Sequence, residues 1–539
     1  MIARDAARPG GPALDSRSHI AKAAGIIMLG NIISRLLGLV REQVIVALFG
    51  LKAATDVFTA ASTVPTMAYD LLVSGAISAA LIPVFTDYAG SRHREEFSRV
   101  VSAVLTIAAL ALAIVVALLE FVAPWLVDIL VGGFDPATRE LTSYLVRLIL
   151  PSVMFMGMAG ILTATLYARQ SFTLPAFSVA VYNLGVILGG VLLADRLGIT
   201  SLVVGVLLGA LFQVAIQIPG ARGLRLRPSL DLSHPAVRSI LKLYAPVALG
   251  IVITNLGVLL DRNLASRTGE GSIAAMRVAT TLVQFSLGLI ATATSFAVLP
   301  TLARQASGEP THHSTLNTQP SSYATTLRMG MKMILVLIVP AVFGLVVLRE
   351  PLIRLLFQRG AFDLEATRLT ALAFLGYSPG IVFAAVDQLL IVAFYARKDT
   401  RTPVAVGVAA LLVYLAVALS LIDALGMLGL VLANAAQTTF HAIVLLWLLN
   451  HQVRGVLDGQ LATFLLKVIG ASLFMALACQ VALVWTAPLA ETGPQTALLV
   501  AGLALLGLIA YGAGVAVLRV REAGTLWSAL SARLGRLRR

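Results

Sequence analysis

Apolar runs of about twenty residues recur along the whole chain, with approximate centres at Leu36, Leu71, Ala109, Phe155, Val186, Leu208, Ile251, Leu289, Leu337, Ala384, Leu412, Val431, Phe474 and Leu505. Each is long enough to cross a ~30 Å hydrocarbon core as a helix. The pattern predicts an all-α integral membrane protein of about 14 transmembrane helices. Polar residues interrupt these runs at helical spacing. In the first, roughly residues 24–49, one face reads Asn31, Ser34, Arg35, Gly38, Arg41 and Glu42, because residues three, four and seven apart share a face. The opposite side, Ile33, Leu37, Val40, Val44 and Leu48, suits lipid or a neighbouring helix. A charge at the centre of a membrane helix costs at least ~2.5–3.5 kcal/mol, so Arg35, Arg41 and Glu42 are expected to face the protein interior, at a water-filled cavity.

The second helix carries a longer stripe, Asp56, Thr59, Thr63, Thr66, Asp70, Ser74 and Ser78. Its two readings are a cavity wall and interhelical hydrogen bonding by the hydroxyls, worth about 0.6 kcal/mol per pair; the second covers Asp56 and Asp70 less well. Helix eight has a counterpart in Arg277, Thr280, Thr281, Gln284, Gly288, Thr292 and Ser295, and helix seven ends with Asn255, Asp261 and Arg262.

An internal match relates these stripes. Residues 151–175 align without a gap on 379–403, an offset of 228 positions (Pro151 to Pro379), sharing Tyr-Ala-Arg, five residues, then Pro. The offset spans an even number of helices, which predicts two parallel six-helix lobes related by a pseudo-two-fold along the membrane normal, plus two C-terminal helices. The expected boundaries are a disordered cytoplasmic tail 1–19, an N-lobe 20–220 (helices 1–6), a cytoplasmic linker 221–237 and a C-lobe 238–450 (helices 7–12). Helices 13–14 follow in 451–520, then a basic cytoplasmic tail 521–539. The polar segment 307–322 reads as a mobile loop.

Composition agrees, with 58% hydrophobic and 12% charged residues and a mean hydropathy of +0.92, far from the quarter charged of soluble domains. The formal charge of +14 is distributed topogenically rather than as a nucleic-acid surface. About 27 of the 40 Lys and Arg fall in the tails and in every second loop, including Arg92, Arg94, Arg99, Arg169, Arg397 and Arg533. By the positive-inside rule both termini are cytoplasmic, and the excess touches anionic membrane lipids. The first tail lacks the apolar core of a removed signal peptide. Cys479 lies in an apolar segment and says nothing of redox compartment.

Arg35, Arg41 and Arg277 suit a phosphate or pyrophosphate, because guanidinium offers planar paired donors. Asp56, Asp70 and Glu42 either pair with these arginines or carry a coupling cation. No His-Glu-x-x-His, Cys-x-x-Cys or phosphate-binding glycine loop is present. His312 and His313 read as solvated loop residues, and Arg354 and Arg359 as interfacial. Gly502, Gly507, Gly512 and Gly514 suit either close packing or a lipid groove. A membrane enzyme would need an acidic or His cluster at a membrane face, which the sequence lacks. A transport-inactive scaffold acting through its tails is a further alternative.

Residues 31–50 (NIISRLLGLVREQVIVALFG), 55–58 (TDVF), 74–83 (SGAISAALIP), 356–362 (LFQRGAF) and 394–403 (FYARKDTRTP) resemble the MurJ/MviN group of the multidrug/oligosaccharidyl-lipid/polysaccharide exporter superfamily. The resemblance spans nearly the whole chain. It implies a lipid II flippase, not an enzyme, moving an undecaprenyl-pyrophosphate-linked peptidoglycan precursor across the bacterial cytoplasmic membrane by alternating access. It implies Arg35, Arg41 and Asp56 as cavity-lining residues and helices 13–14 as the groove for the polyprenyl tail. A second-helix arginine typical of the group falls at Tyr69, a lysine at Thr63, and an eighth-helix arginine at Thr281, one turn from Arg277. Helix eleven has no acidic residue in its interior to match the sodium site of some relatives. The expected partners are the polyprenyl-pyrophosphate lipid and anionic lipids, with no nucleic acid. Cell-wall synthesis proteins are further candidates, and the chain is expected to be a monomer. No cofactor is expected, with coupling to an ion or to membrane potential left open. Another polyprenyl-linked glycan, or an amphipathic small molecule, is the alternative cargo.

Overall fold

The computed structural model describes residues 13–71, 80–90, 94–306, 322–453, 455–486, 492–520 and 522. The two terminal tails, Ser74 and Ser78, Arg92, the loop 307–321 with His312 and His313, and the side chains of Arg94 and Thr292 lie outside what is described. Among the described residues all regular structure is helical. The chain divides between Asn263 and Leu264 into two compact units.

The first unit contains α1 (Ala13–Phe49), α2 (Ala53–Tyr69), α3 (Ile82–Tyr88), α4 (Arg94–Leu130), α5 (Pro136–Ile149), α6 (Ser152–Ala168), α7 (Thr173–Leu197), α8 (Thr200–Gln217) and all but the end of α9 (Pro235–Ala265). The second contains α10 (Ser272–Ala306), α11 (Ser322–Phe357), α12 (Leu364–Ala396), α13 (Arg401–Leu425), α14 (Met427–Gln452), α15 (Gly459–Thr486) and α16 (Gly493–Val517). Thirteen of the fourteen apolar centres fall one to a helix, and Leu71 lies two residues past α2. Ten helical segments among the described residues are long and apolar enough to cross a membrane. That set leaves out the short α3 and also α1, α2, α9 and α10, the helices that carry the polar stripes. Large apolar side chains stand exposed in ladders, Leu110, Ile114, Leu118, Phe121 and Trp125 on α4, and Leu473, Leu477, Val481 and Val484 on α15. Apolar surface so extensive marks faces turned to lipid.

Within the first unit α1 packs on α7 and α7 on α8. The second crossing is nearly side-chain free: a Cβ added to Gly185 would lie 2.3 Å from Gly209 Cα, and one added to Gly189 would lie 2.3 Å from Gly205 Cα. Small residues at four-residue spacing let backbones approach in this way. Gly30 meets the Ala176 backbone, so α1 is drawn against a different side of α7, the one that carries Ala176 and Asn183. The start of α9 joins the core of α3, α4 and α6, where Ala236, Val237 and Ile240 pack with Phe85, Phe97, Val101 and Ile161.

In the second unit α12 packs on α10, α11 and α14, and α15 lies on α11 and α16. Gly507 sits under Cys479 Sγ and Gly514 against Ala471, whereas Gly502 and Gly512 face open space. The last helix therefore uses two of its five glycines for packing, since Gly493 also meets nothing within 4 Å.

The internal repeat is reproduced in backbone detail. Helices α7 and α13 have 25 residues each and share the 228-position offset at both ends. Gln170 and Lys398 both take positive φ, 56° and 62°, closing the helices before them. Ser171 N–H bonds the Leu166 carbonyl at 2.8 Å, as Asp399 N–H bonds that of Phe394 at 3.1 Å. Both repeats end at a glycine with the same left-handed turn, Gly198 (φ 53°) and Gly426 (φ 54°).

Candidate functional site

Arg41 and Glu42 are neighbours on α1, and both face the protein. Arg41 Nη2 donates to Glu42 Oε1 at 2.6 Å, and Glu42 is only 2% exposed. Arg41 Nη1 donates to Asn183 Oδ1 on α7 at 3.0 Å, and Asn183 Nδ2 donates to the Ser34 carbonyl at 3.1 Å. One amide therefore ties the guanidinium to α7 and α7 to the backbone of α1 one turn-pair earlier. Pairing with Glu42 offsets part of the penalty of holding a cation at this depth. Of the alternatives open for Glu42, pairing with an arginine is the one observed. Arg41 Nε and Ser34 Oγ are buried and make no hydrogen bond among the described residues. An unmet buried donor costs about 1–3 kcal/mol, which marks a polar spot suited to an incoming acceptor.

The apolar side of α1 divides in two. Val44 and Leu48 reach Gly190 of α7, while Val40 stands exposed, as do Met28, Leu29, Ile32 and Leu36 elsewhere on the helix. Arg35 is exposed as well.

On α2, Asp56 is 1% exposed and Thr59 is also buried, while Thr63, Tyr69 and Asp70 are partly buried and Thr66 is exposed. Two of the stripe's hydroxyls bond within α2. Thr63 donates to the Thr59 carbonyl at 3.0 Å and Thr66 to the Ser62 carbonyl at 2.8 Å, each on its own helix. The turn entering α2 is held by Thr55 Oγ1 on the Gly50 carbonyl at 2.7 Å. Asn255 of α9 donates to the Met67 carbonyl at 3.2 Å, linking α9 to the end of α2. Asp261 and Arg262 form a looser pair at 3.8 Å, and Asn263 Nδ2 donates to the Ile129 carbonyl at 2.6 Å.

The counterpart stripe lies on α10 in the second unit. Arg277 and Thr281 are partly buried and Gln284 is exposed. Thr280 and Thr281 donate to the carbonyls of Met276 at 2.7 Å and Arg277 at 3.0 Å. Arg35, Asp56, Arg277 and Gln284 all have interaction partners.

Asn183 is the residue that pattern reading passed over, although it is one of few polar residues in the apolar body of α7. A second intramembrane polar pair, also unmarked by the stripes, joins α12 and α14: His441 Nδ1 lies 2.7 Å from Asp387 Oδ1, and Nε2 lies 3.2 Å from the Pro403 carbonyl. Among the described residues no group of three or more His, Cys, Asp or Glu side chains could hold a metal ion.

At the loop end of the second repeat, Asp399 accepts from the backbone N–H groups of Arg401 and Thr402 at 3.1 and 3.0 Å and from Thr402 Oγ1 at 2.6 Å. The Thr402 hydroxyl, followed by its N–H, holds the Asp399 carboxyl below the usual carboxylate range.

The chain is thus a multi-pass membrane protein, all-helical among the described residues, with charged side chains such as Arg41 and Glu42 turned toward the protein. The profile of the family described as lipid II flippase MurJ matches residues 45–496. A lipid II flippase MurJ of Burkholderia cenocepacia is 26% identical over 498 residues, covering 89% of this chain and 94% of the relative. A probable lipid II flippase MurJ of Haemophilus influenzae is 32% identical over 435 residues, covering 77% and 83%. The fold matches a lipid II flippase MurJ solved in an inward closed conformation with a TM-score of 0.76 at 21% identity, over 91% of this chain and 98% of that one. An inward-facing multidrug resistance MATE family transporter of the MOP superfamily matches at 0.63 and 13% identity, over 78% and 95%. The chain belongs to the lipid II flippase MurJ family. It is a multi-pass protein of the bacterial inner membrane.

Proposed function

We propose that the protein translocates lipid II, the undecaprenyl-pyrophosphate-linked peptidoglycan precursor, from the inner to the outer leaflet of the cytoplasmic membrane by alternating access. The observation that carries this reading is Arg41, a cation inside a membrane helix, clamped by Glu42 and Asn183 and retaining a buried unmet Nε donor. The relatives named as lipid II flippases supply the cargo. Arg35 and Arg41 bind the pyrophosphate, with Arg277 as the third cation. Asp56 and Asp70 shape the cavity with Thr63, Thr66, Tyr69, Thr281 and Gln284.

In this reading α1, α2 with α3, α9 and α10 join the ten apolar segments to make fourteen spans, arranged as lobes 20–220 and 238–450. Residues 451–520 form the tail groove, and both termini are cytoplasmic. The monomer is the working unit. Complementation of a lipid II flippase-depleted strain tests the proposal: the wild-type gene restores growth and Arg41→Ala does not, at equal membrane abundance. Full rescue by Arg41→Ala sinks it.

Tyr69 and Thr281 favour a second reading, in which the cargo is another polyprenyl-linked glycan. The Thr281 hydroxyl is spent on the Arg277 carbonyl and supplies no charge. Native mass spectrometry of the purified protein showing equal retention of lipid II and other polyprenyl pyrophosphates favours this alternative.

A further inference from the structure

The last turns of α11 and α15 and the first turns of α12 and α16 enclose a cavity of about 350 Å³ at one end of the second unit. Its lining holds three arginines, Arg349, Arg354 and Arg368, against one carboxylate, Glu350. If Glu350 neutralises one guanidinium, the cavity still carries two positive charges in excess. Arg349 Nη1 donates to the Val346 carbonyl at 2.6 Å, which fixes the direction of its fork. Guanidinium forks match phosphate oxygens in pairs, and the volume lies within the ~300–1,000 Å³ of small-ligand sites.

The surroundings specify the rest of the ligand. Leu483 and Leu499 line the cavity, and the residues beside them in sequence turn outward into the apolar belt: Val484 and Trp485 on α15 and Leu498 on α16 are 63%, 78% and 74% exposed. A helix-end tryptophan of this kind sits at the level of lipid headgroups. A basic pocket opening beside apolar, lipid-facing helix surfaces receives a headgroup with its chains outside. Gln480, Leu483, Thr496 and Leu499 of the lining fall in the segment 451–520 given above to the polyprenyl tail, but the three arginines lie on α11 and α12, outside that segment, the polar stripes and the repeat of α7 and α13.

We infer that this cavity binds the phosphodiester headgroup of an anionic phospholipid, separately from the cargo. The test uses delipidated full-length protein in detergent and native mass spectrometry with phosphatidylglycerol, phosphatidylethanolamine, undecaprenyl pyrophosphate and inorganic phosphate as probes. Wild type is expected to retain phosphatidylglycerol over phosphatidylethanolamine. Arg349→Gln with Arg368→Gln is expected to lower that retention by about tenfold or more, since two charge-assisted contacts are lost. Glu350→Gln, which removes the carboxylate, is expected to raise retention, a gain that a merely damaged fold does not give. Equal retention of the two phospholipids, or phosphatidylglycerol binding unchanged in both variants, overturns the proposal. Displacement by equimolar inorganic phosphate makes this a soluble-anion site and overturns it too. Loss of undecaprenyl pyrophosphate alone in the double variant assigns the cavity to the cargo, with the same consequence.

Discussion

Arg41 and Asn183 lie 142 positions apart, yet the guanidinium Nη1 donates to the amide Oδ1 at 3.0 Å. The contact depends on the bare crossing of α1 over α7, where Gly30 meets the Ala176 backbone and Gly38 leaves the amide 3.6 Å from the place of a Cβ. A small-residue seam thus sets the direction of a charged side chain.

Asn183→Ala removes the acceptor from Arg41 and the donor to the Ser34 carbonyl. A hydrogen bond to a charged group contributes about 1.5–3 kcal/mol, so transport is expected to fall roughly tenfold or more while the protein remains in the membrane. Asn183→Asp places a second carboxylate beside the guanidinium and is expected to be worse. Translocation rates at matched abundance decide this, and a fully active Asn183→Ala refutes the positioning role.

The α7 and α8 crossing makes a prediction about stability alone. Gly189→Ala puts a methyl 2.3 Å from Gly205 Cα, and backbone has to move. Overpacking of this kind costs about 1–3 kcal/mol, read as a lower melting temperature in detergent. Gly502→Ala, at a position with nothing within 4 Å, is expected to melt like wild type. Equal melting of the two variants contradicts the assigned packing.

Asp399 provides a pH test. Its carboxyl is held below the ordinary range, first by the Thr402 hydroxyl, so the folded state favours the ionised form. Stability from this group is complete above the unfolded value near ~3.9 and is lost as pH falls through the lower folded value. Asp399→Ala is expected to cost about 0.5–2 kcal/mol at neutral pH, the range for a lost helix cap. The gap to wild type is expected to close at acidic pH. A gap that widens on acidification contradicts the sign.

The pair between Asp387 and His441 is expected to behave as a unit. Asp387→Leu strands an imidazole that is 13% exposed, and removing one partner of a buried pair costs roughly 3 kcal/mol or more. Replacing both residues by Leu is expected to restore much of that loss. Thermal melts of the two singles and the double give the coupling, and additive losses argue against a coupled pair.

Much of the architecture could be read from hydropathy, since long apolar runs in lipid have few alternatives to helix. Thirteen run centres each lie in their own helix. The repeat was strongest in sequence where identities cluster, from Pro151 and Pro379 to Pro175 and Pro403, whereas its backbone continues to Gly198 and Gly426. Beyond the prolines the two copies keep turn geometry and lengths but few side chains. Arg41 and Glu42 stood out because charge is rare in a membrane helix. Asn183 did not, because a single neutral amide leaves no periodic trace and its partner lies across a crossing that sequence spacing does not encode. The four-residue spacing of Gly185 and Gly189, and of Gly205 and Gly209, was the available signal for the α7 and α8 crossing. The threonine stripes were legible as position but not as chemistry: Thr63, Thr66 and Thr281 satisfy themselves on their own helices.

The central claim is that the arginine-bearing wall of α1 handles the pyrophosphate of lipid II. The most direct measurement is the leaflet-to-leaflet movement of lipid II in liposomes containing the full-length protein, wild type against Arg41→Ala, at equal incorporation. The expected result is rapid transfer by wild type and a rate at least about tenfold lower for Arg41→Ala, in keeping with a lost charge-assisted contact. Equal rates for the two proteins, or no transfer by wild type above empty liposomes, would contradict it.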